Sequence, residues 1–290
     1  MSNEPQIGTL RGSIDANSST YLGFQAHHDR LINKSMGGLF PERSTLEGIS
    51  RVLDVSCGSG GWAVDVAAAY PTIQVVGIDW NEQAIEYART LAWAEGGYSN
   101  ASFRVMHILK DYDFPAGSFD LVNERNIAWK VGSRGAWPSF LKECMRVVRP
   151  GGIIRLTELE VGLSNSLGVQ RLYGSLAQAF HKVGLSFSPD GATFGIAPML
   201  KHLLREAGCQ DVGHTVYGID ASYGEEVHEG WVEQLTIVDR LSTPFVVASG
   251  IATQKERDTW YQQAMSEARA PEFRCMLFFV TAWGRAPEST

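Results

Sequence analysis

Short apolar segments alternate with segments of helical periodicity through the middle of the chain. Each apolar segment has the length of a strand and is apolar enough to be buried on both faces. The pattern predicts strands at 51–56, 74–79, 101–107, 119–124 and 153–159. It predicts the intervening helices at 61–69, 81–95 and 136–148. Strands that alternate with helices form a mostly parallel sheet, so we predict an α/β fold.

Helical patterns dominate on both sides of this core, and we interpret them as a cap over the sheet. Two more strands are predicted at 212–219 and 274–284, with helical sequence between them. The first residues are rich in Ser, Asn, Gly and Thr, which is typical of a mobile arm. We divide the chain into an arm at 1–20, a cap helix with its connector at 21–48 and a core at 49–160. The C-terminal part, 161–290, adds the remaining core strands and two cap insertions at 161–195 and 220–272.

Composition argues against several classes of partner. The 290-residue chain has a net charge of −7 and no cluster of Lys and Arg, so we expect no nucleic-acid surface. No apolar run is long enough to span a bilayer, and the polar N-terminus lacks a signal sequence, so we expect no membrane partner. The four cysteines lack zinc-ligand spacing, which predicts no metal site and favours a cytoplasmic location: Cys57, Cys144, Cys209 and Cys275.

A glycine-rich turn follows the first predicted core strand. Gly58 and Gly60 allow a ligand to approach the backbone, because neither has a Cβ. The helix that begins near Gly61 offers unpaired N–H groups at the same place. Asp79, at the end of the second strand, is placed to accept hydrogen bonds from ribose hydroxyls. The turn therefore predicts a site for an adenosine-containing ligand.

Two classes of ligand compete for this turn. Gly58, Gly60 and Ala63 have the G-x-G-x-x-A spacing of a dinucleotide site, which keeps an NAD(P)-dependent oxidoreductase open as an alternative. Asp54 lies on the strand just before the turn, where an acid would repel a pyrophosphate. The same carboxylate could accept hydrogen bonds from an ammonium group. This residue favours a ligand with an amino-acid tail.

Three segments resemble one enzyme family. Asp54-x-x-Cys57-Gly58-x-Gly60-Gly61 resembles motif I of the class I S-adenosylmethionine (SAM) methyltransferases. Arg149-Pro150-Gly151-Gly152 resembles the loop before their fifth strand, and Phe114–Val122 resembles the fourth-strand entry of the small-molecule branch, which acts in ubiquinone and natural-product pathways. The resemblance spans about residues 49 to 160. It implies a Rossmann-like sheet with an antiparallel last strand, and SAM as the cofactor.

The resemblance also implies where the cofactor binds. Gly58 and Gly60 would line its methionine part, and Asp79 would hold its ribose. Many relatives carry an Asp after the third strand, where this chain has His107, so adenine would meet His107 or the backbone of Ile108 and Leu109. Trp80 is placed to stack on adenine, and an N-terminal aromatic residue often closes over the cofactor. The predicted cofactor site comprises Tyr21, Asp54, Ser56, Cys57, Gly58, Gly60, Asp79, Trp80, His107, Ile108 and Asn123.

Methyl transfer from a sulfonium requires a positioned acceptor and, for some acceptors, a base. We select Glu158, His28 and Arg125 as catalytic candidates, because they follow the core strands or lie in the N-terminal cap helix. Each has a structural alternative. Arg125 could simply pair with Glu124 or Glu158, Glu158 could pair with an arginine, and His28 could lie exposed on the helix surface.

The sequence thus predicts a SAM-dependent methyltransferase of secondary metabolism. Its acceptor would be a small organic molecule, and the methylated atom could be O, N or C. A second alternative is a SAM-binding protein without methyl transfer, either regulatory or pericyclase-like, because its cofactor motifs would look the same. Association into a homo-oligomer stays open.

Overall fold

A computed structural model of the chain describes residues 18–131 and 133–288. Residues 1–17 of the predicted arm lie outside the described residues. The last residues assigned to that arm are helical, because the first helix begins at Ser19, with Ser18 as its N-cap. The Ser18 hydroxyl accepts a hydrogen bond from the backbone N–H of Tyr21, which satisfies one of the free donors of the first turn.

The described residues form one seven-stranded sheet with the strand order β3-β2-β1-β4-β5-β7-β6. Strands β1 to β5 are parallel, and β7 runs antiparallel between β5 and β6. The predicted mostly parallel sheet with an antiparallel last strand is confirmed. The strands are β1 Arg51–Val55, β2 Gln74–Asp79, β3 Ala101–Val105, β4 Phe119–Arg125, β5 Val148–Ser164, β6 Gln210–Asp220 and β7 Cys275–Arg285.

Helices cover both faces of the sheet and the carboxyl ends of its parallel strands. They are α1 Ser19–Ser35, α2 Gly61–Ala69, α3 Glu82–Ala94, α4 Trp137–Val147, α5 Leu167–Lys182, α6 Leu200–Glu206, α7 His228–Ala248 and α8 Gln254–Ala268. Local sequence explains several ends: Asn81 caps α3, and Thr253 with Glu256 forms a capping box at α8. Within residues 18–131 and 133–288, no helix has the length and apolar character required to cross a bilayer.

Strand β5 is longer than the sequence pattern predicts. The apolar run indicated 153–159, whereas the strand extends over Val148–Ser164. Its extension past Glu160 pairs with β7, up to Ser164 opposite Cys275. Backbone pairing with a distant strand therefore continues β5 past the predicted end, through a mixed segment of Glu160, Val161, Gly162, Leu163 and Ser164.

Three apolar clusters hold helices against the sheet. Helices α4 and α6 pack on one face through residues such as Trp137 and Leu204, and α2 and α3 pack on the other through residues such as Trp62 and Ile85. A third cluster joins α5, α7 and α8 to β7 around Trp231. Helix α1 contacts α2, α3 and α7, so it bridges the core and the helices that follow β5.

The cap helices α5, α7 and α8 are joined by one buried arginine. Arg257 in α8 is 1% exposed and donates to Asp239 of α7 at 2.5 Å. It also donates to the Leu172 carbonyl at 3.0 Å and to the Ser175 hydroxyl at 2.8 Å, both in α5. A buried guanidinium in α8 whose N–H groups bond to both α5 and α7 fixes the three helices relative to one another.

We predict that Arg257→Ala lowers the free energy of unfolding by about 3–5 kcal/mol, because Asp239 would remain buried without its charge partner. Arg240→Ala in the same helix as Asp239 serves as the matched control, since Arg240 is exposed. Its effect should stay within about 0.5 kcal/mol. Denaturant unfolding measures both values, and equal effects of the two substitutions would contradict the role assigned to Arg257.

Candidate functional site

A cavity of about 460 Å³ lies at the carboxyl ends of β1, β4 and β5, beneath the cap. Its floor consists of the turn after β1 and the segment after β4. Its roof consists of α1, α5 and α7. Ligands of open parallel sheets bind in this position, because the strand ends and the following turns meet there.

The turn after β1 is shaped by three residues with positive φ. Ser56 has φ 60°, Gly58 has φ 53° and Gly60 has φ 78°. A Cβ on Gly60 would lie 2.6 Å from Cβ of Ala88 and 2.9 Å from the Phe103 ring, so this glycine is required for packing. A Cβ on Gly58 would meet no protein atom within 4 Å. Gly58 lines the cavity, so its missing side chain leaves space for a ligand.

Asp54 is buried at the end of β1 and lines the cavity. Its Oδ1 accepts a hydrogen bond of 2.7 Å from Nδ2 of Asn123 on β4. Oδ1 of Asn123 accepts in turn from Nη1 of Arg155 on β5 at 2.7 Å, and Nε of Arg155 donates to Glu42 at 2.8 Å. Burial raises the pKa of Asp54 to about 7, and the hydrogen bond from Asn123 opposes this shift.

Asp79 lies at the end of β2 and is held by the turn it faces. Its Oδ2 accepts from the Gly58 N–H at 3.1 Å and from the Ser56 hydroxyl at 3.3 Å, and its Oδ1 accepts from the Asn81 N–H at 2.9 Å. Lys130, in the segment after β4, donates to the Ser56 hydroxyl at 2.6 Å and lies 4.0 Å from Asp79. A hydrogen-bonded network of polar residues therefore joins the ends of β1 and β2 to the segment after β4.

Arg125 lines the cavity at the end of β4 without a carboxylate partner. Its Nη1 donates to Oδ1 of Asn33 in α1 at 2.7 Å, and its buried Nη2 has no hydrogen-bond partner among the described residues. Burial lowers the pKa of its guanidinium. Neither Glu124 nor Glu158 lies within ion-pair distance, so the predicted structural alternative of an ion pair with one of them is wrong. A half-buried guanidinium whose buried Nη2 has no partner indicates an anionic ligand.

Glu158 and Glu124 form a buried carboxyl pair beside the cavity. Oε1 of Glu158 accepts from the N–H groups of Ile127 and Ala128, both at 2.9 Å, and Oε1 of Glu124 accepts from Ile127 at 3.0 Å. Burial raises the pKa of Glu158 to about 7. Burial and the neighbouring Glu158 raise the pKa of Glu124 well above its usual range. Only Glu158 lines the cavity, and it makes no ion pair with Arg155, which pairs with Glu42.

One face of α1 closes the cavity from above. Tyr21, Gln25, His28, Asp29 and Ile32 line it at helical spacing. The Tyr21 hydroxyl accepts from Gln25 at 2.8 Å, and burial raises the pKa of Tyr21 to about 12. Nδ1 of His28 is buried with no hydrogen-bond partner among the described residues, and burial lowers its pKa. His28 is therefore a cavity residue, and its neutral imidazole is favoured.

Other predicted cofactor residues lie outside the cavity lining. Trp80 is 57% exposed, and His107 is exposed with its Nδ1 accepting from the Leu109 N–H at 3.1 Å. Ile108 is buried in the core, and Asn123 is buried with both amide atoms bonded within the sheet. The structure thus brings Tyr21, Asp54, Ser56, Cys57, Gly58, Arg125, His28 and Glu158 together, and leaves Gly60, Asp79, Trp80, His107, Ile108 and Asn123 around them.

Sequence reasoning missed several cavity residues. Gln25 and Asp29 follow Tyr21 at the i+4 and i+8 positions of one helix face, a spacing that could have identified them. Lys130 offered no such signal, because it lies in an irregular segment whose path only the fold defines. Lys130 also lies over the ring of Trp129, with Nζ 5.2 Å from the ring centre.

Comparison with known proteins supports the same family. Residues 52–152 match a family model described as a methyltransferase domain. The chain is 33% identical to the chloroplastic tocopherol O-methyltransferase of Arabidopsis thaliana, with 49% of this chain and 41% of that protein aligned. It is 35% identical to ajmaline N-methyltransferase of Rauvolfia serpentina, over 47% and 44% of the two chains. The chain thus spans less than half the length of these curated relatives.

The solved structures show the same fold. Phosphoethanolamine N-methyltransferase 2 of Haemonchus contortus superposes with a TM-score of 0.58 at 15% identity, over 94% of this chain and 58% of that one. At this identity the superposition concerns the fold alone. The sheet order and the glycine turn agree with the matched family model, and residues 52–152 form a methyltransferase domain with a Rossmann-like fold.

Proposed function

We propose that this protein transfers a methyl group from S-adenosylmethionine to an O, N or C atom of a small organic molecule. The observation that carries the proposal is a single cavity that runs from the glycine turn, past Arg125, to Glu158 and the apolar cap. Similarity to methyltransferases named for tocopherol and ajmaline supports a small organic acceptor. Because one is an O- and the other an N-methyltransferase, the acceptor atom stays open.

The residues present fit the amino-acid end of this cofactor. Asp54 provides a buried carboxylate for an ammonium group, and Arg125 provides a guanidinium with a free Nη2 for a carboxylate. These opposite charges lie on adjacent strands, with Asp54 opposite Asn123 in the pairing and Arg125 two residues further along β4. Gly58 leaves the space that the chain of the ligand requires. Arg125 would therefore act as a positioning residue rather than as an acid or base.

The nucleoside end would lie toward β2. Oδ2 of Asp79 already accepts from Gly58 and Ser56, whereas Oδ1 accepts from the Asn81 N–H and has a second lone pair. Oδ1 can therefore accept from a ribose hydroxyl while the carboxylate also holds the turn. Trp80 and His107 follow β2 and β3 on the exposed side and offer ring faces to adenine. When bound, the cofactor supplies a methyl group activated by its sulfonium.

The protein's remaining task is to position the acceptor and to take its proton. Asp54, Gly58 and Arg125 would hold the cofactor, which would supply its methyl group to the acceptor atom and keep the electron pair of the broken bond on its sulfur. A proton carried by the acceptor atom passes to a carboxylate oxygen of Glu158. The Ile127 and Ala128 N–H groups orient Glu158, and its pKa near 7 suits a base at neutral pH.

Binding of S-adenosylhomocysteine and of NADH, both followed by calorimetry, tests the cofactor class. We expect S-adenosylhomocysteine to bind and NADH to give no signal. Binding of NADH alone would overturn the proposal in favour of the oxidoreductase alternative. Transfer of label from methyl-labelled SAM into a metabolite extract then separates a methyltransferase from a SAM-binding protein without transfer, for which no product would carry label.

Gly58→Ala should mainly weaken cofactor binding, whereas Gly60→Ala should mainly lower the stability of the fold. The Gly58 substitution fills the ligand space, so we expect about 10-fold or more weaker S-adenosylhomocysteine binding at a folding cost of about 1–2 kcal/mol for its positive φ. The Gly60 substitution clashes with Ala88 and Phe103, so we expect a larger loss of stability. Calorimetry and thermal unfolding measure the two quantities. Unchanged cofactor affinity in Gly58→Ala would contradict this placement of the ligand.

Glu158→Gln keeps the shape of the side chain and removes the base. We expect kcat to fall by about 10²–10⁴-fold for an acceptor that loses a proton, with cofactor affinity retained. In the wild type, kcat should rise with pH through about 7 as Glu158 loses its proton, and the variant should lack this rise. Glu124 acts on Glu158 through a hydrogen bond and Lys130 through its charge, and variants of either residue should shift the midpoint of the pH profile. A wild-type pH profile in Glu158→Gln would exclude Glu158 as the base.

A folding measurement provides the control for this variant. The pKa of Glu158 is raised in the folded state, from 4.5 to about 7, because burial opposes its ionised form. The stabilising effect of the protonated group is complete below about 4.5 and is lost as the pH rises through about 7. Glu158→Gln should therefore be at least as stable as the wild type at pH 8, as judged by thermal unfolding.

A further inference from the structure

The charged and apolar residues of the cavity are segregated. The charged lining residues lie in α1, at the strand ends or in the segment after β4: Asp29, Asp54, Arg125, Lys130 and Glu158. The remaining lining residues of α5, α7, the segment between α5 and α6, and β7 include no Asp, Glu, Lys or Arg. We call this second part the acceptor chamber, and define it by Leu176, Phe180, Ile237, Leu241, Phe245 and Phe279.

The chamber differs from an ordinary hydrophobic core because it encloses open space. Protein interiors are close-packed, with few voids larger than a water molecule. Phe180 and Phe245 have ring centres 5.5 Å apart and form one wall, while Leu241 is only half-buried because it faces the cavity. An apolar cavity of this kind is typical of a binding site for an apolar ligand.

The polar groups of the chamber are few and uncharged. Ser186 donates its hydroxyl hydrogen to the Phe194 carbonyl at 2.9 Å, and Ser242 donates to the Asp239 carbonyl at 3.4 Å. The Gln234 side chain faces the cavity without a hydrogen-bond partner among the described residues. Asp239 and Arg257 are the nearest buried charges, and they pair with each other outside the lining. Tyr173 and Trp231 also line this part of the cavity, and the indole Nε1 of Trp231 has no hydrogen-bond partner among the described residues. The chamber therefore offers a few neutral polar groups on an otherwise apolar surface.

The charges at the other end are committed to the cofactor under the proposed function. Arg125 and Asp54 match the carboxylate and the ammonium group, and Lys130 is bonded to Ser56. An acidic acceptor would have no free cation, and a charged group placed in the chamber would lose its hydration without compensation. The charged side chains left in the lining are two carboxylates, Asp29 and Glu158, and neither would pair with an anionic acceptor.

We infer that the methyl acceptor is an uncharged, hydrophobic molecule whose body fills the acceptor chamber and whose nucleophilic atom reaches Glu158. This inference rests on the proposed methyl transfer and adds the substrate class to it. Gln234 is placed to bind one neutral polar group on the body of the acceptor, such as a carbonyl or a hydroxyl.

Binding to the complex with S-adenosylhomocysteine tests the inference without knowledge of the methylated atom. Calorimetry would compare 4-ethylphenol, 4-octylphenol and 4-octylbenzoate. We expect 4-octylphenol to bind about 100-fold or more tightly than 4-ethylphenol, because each buried methylene contributes about 4-fold. We expect 4-octylbenzoate to bind at least about 10-fold more weakly than 4-octylphenol, since its carboxylate is desolvated without a partner. No dependence on chain length, or preference for the benzoate, would overturn the inference.

A matched pair of variants assigns this binding to the chamber. Leu241→Lys places a charge in the chamber and should abolish detectable binding of 4-octylphenol, while Leu163→Lys at a site 61% exposed should leave it unchanged. Equal binding in both variants would also overturn the inference. If Leu241→Lys fails to fold, Leu241→Gln replaces it with the same expected direction. If the wild type does not bind S-adenosylhomocysteine, the proposed function itself is refuted. Failure of the proposed function and failure of the substrate-class inference are therefore distinguishable.

Discussion

A row of hydrogen bonds inside the sheet determines where every residue of the site stands. Asp54, Asn123 and Arg155 occupy neighbouring positions in the pairing of β1, β4 and β5, and their side chains bond to one another and to Glu42. A shift of one residue in any of these strands would turn its member of the row to the other face and leave buried polar groups without partners. The row thus fixes the register from which Arg125 and Glu158 emerge at one edge.

That register separates the chemistry of the cavity into two regions. The buried acid of β1 and the guanidinium of Arg125 lie near the glycine turn, while Glu158 lies beyond them beside the cap. The cap is joined to itself through Arg257 rather than to the charged strand ends, so its inner surface is free to be apolar. Methyl transfer requires little more than this: an oriented donor, a desolvated acceptor and one group able to take a proton.

The sequence predicted the central strands and the glycine turn well, because their signals are local. The alternation of strand and helix, the positive-φ glycines and the acid at the end of β2 each depend on a few adjacent residues. The extent of β5 could not be predicted, since its last residues are ordered by pairing with β7. The partners of Arg125 could not be predicted from a local pattern either, because its hydrogen-bond partner is Asn33 in the distant helix α1. Glu124 and Glu158, the partners considered from the sequence, accept from backbone N–H groups instead. Lys130 was missed for the same reason, because only the folded chain brings it to Ser56.

In the proposed function, Asp54, Gly58 and Arg125 hold the amino-acid end of a SAM-type cofactor. A crystal structure of the protein with S-adenosylhomocysteine would show whether they do. We expect the homocysteine carboxylate at hydrogen-bond distance from the guanidinium of Arg125, the backbone of the turn against the ligand, and the sulfur facing Glu158 and the acceptor chamber. A nucleoside bound elsewhere, or side chains filling the space above Gly58 in the complex, would contradict this placement.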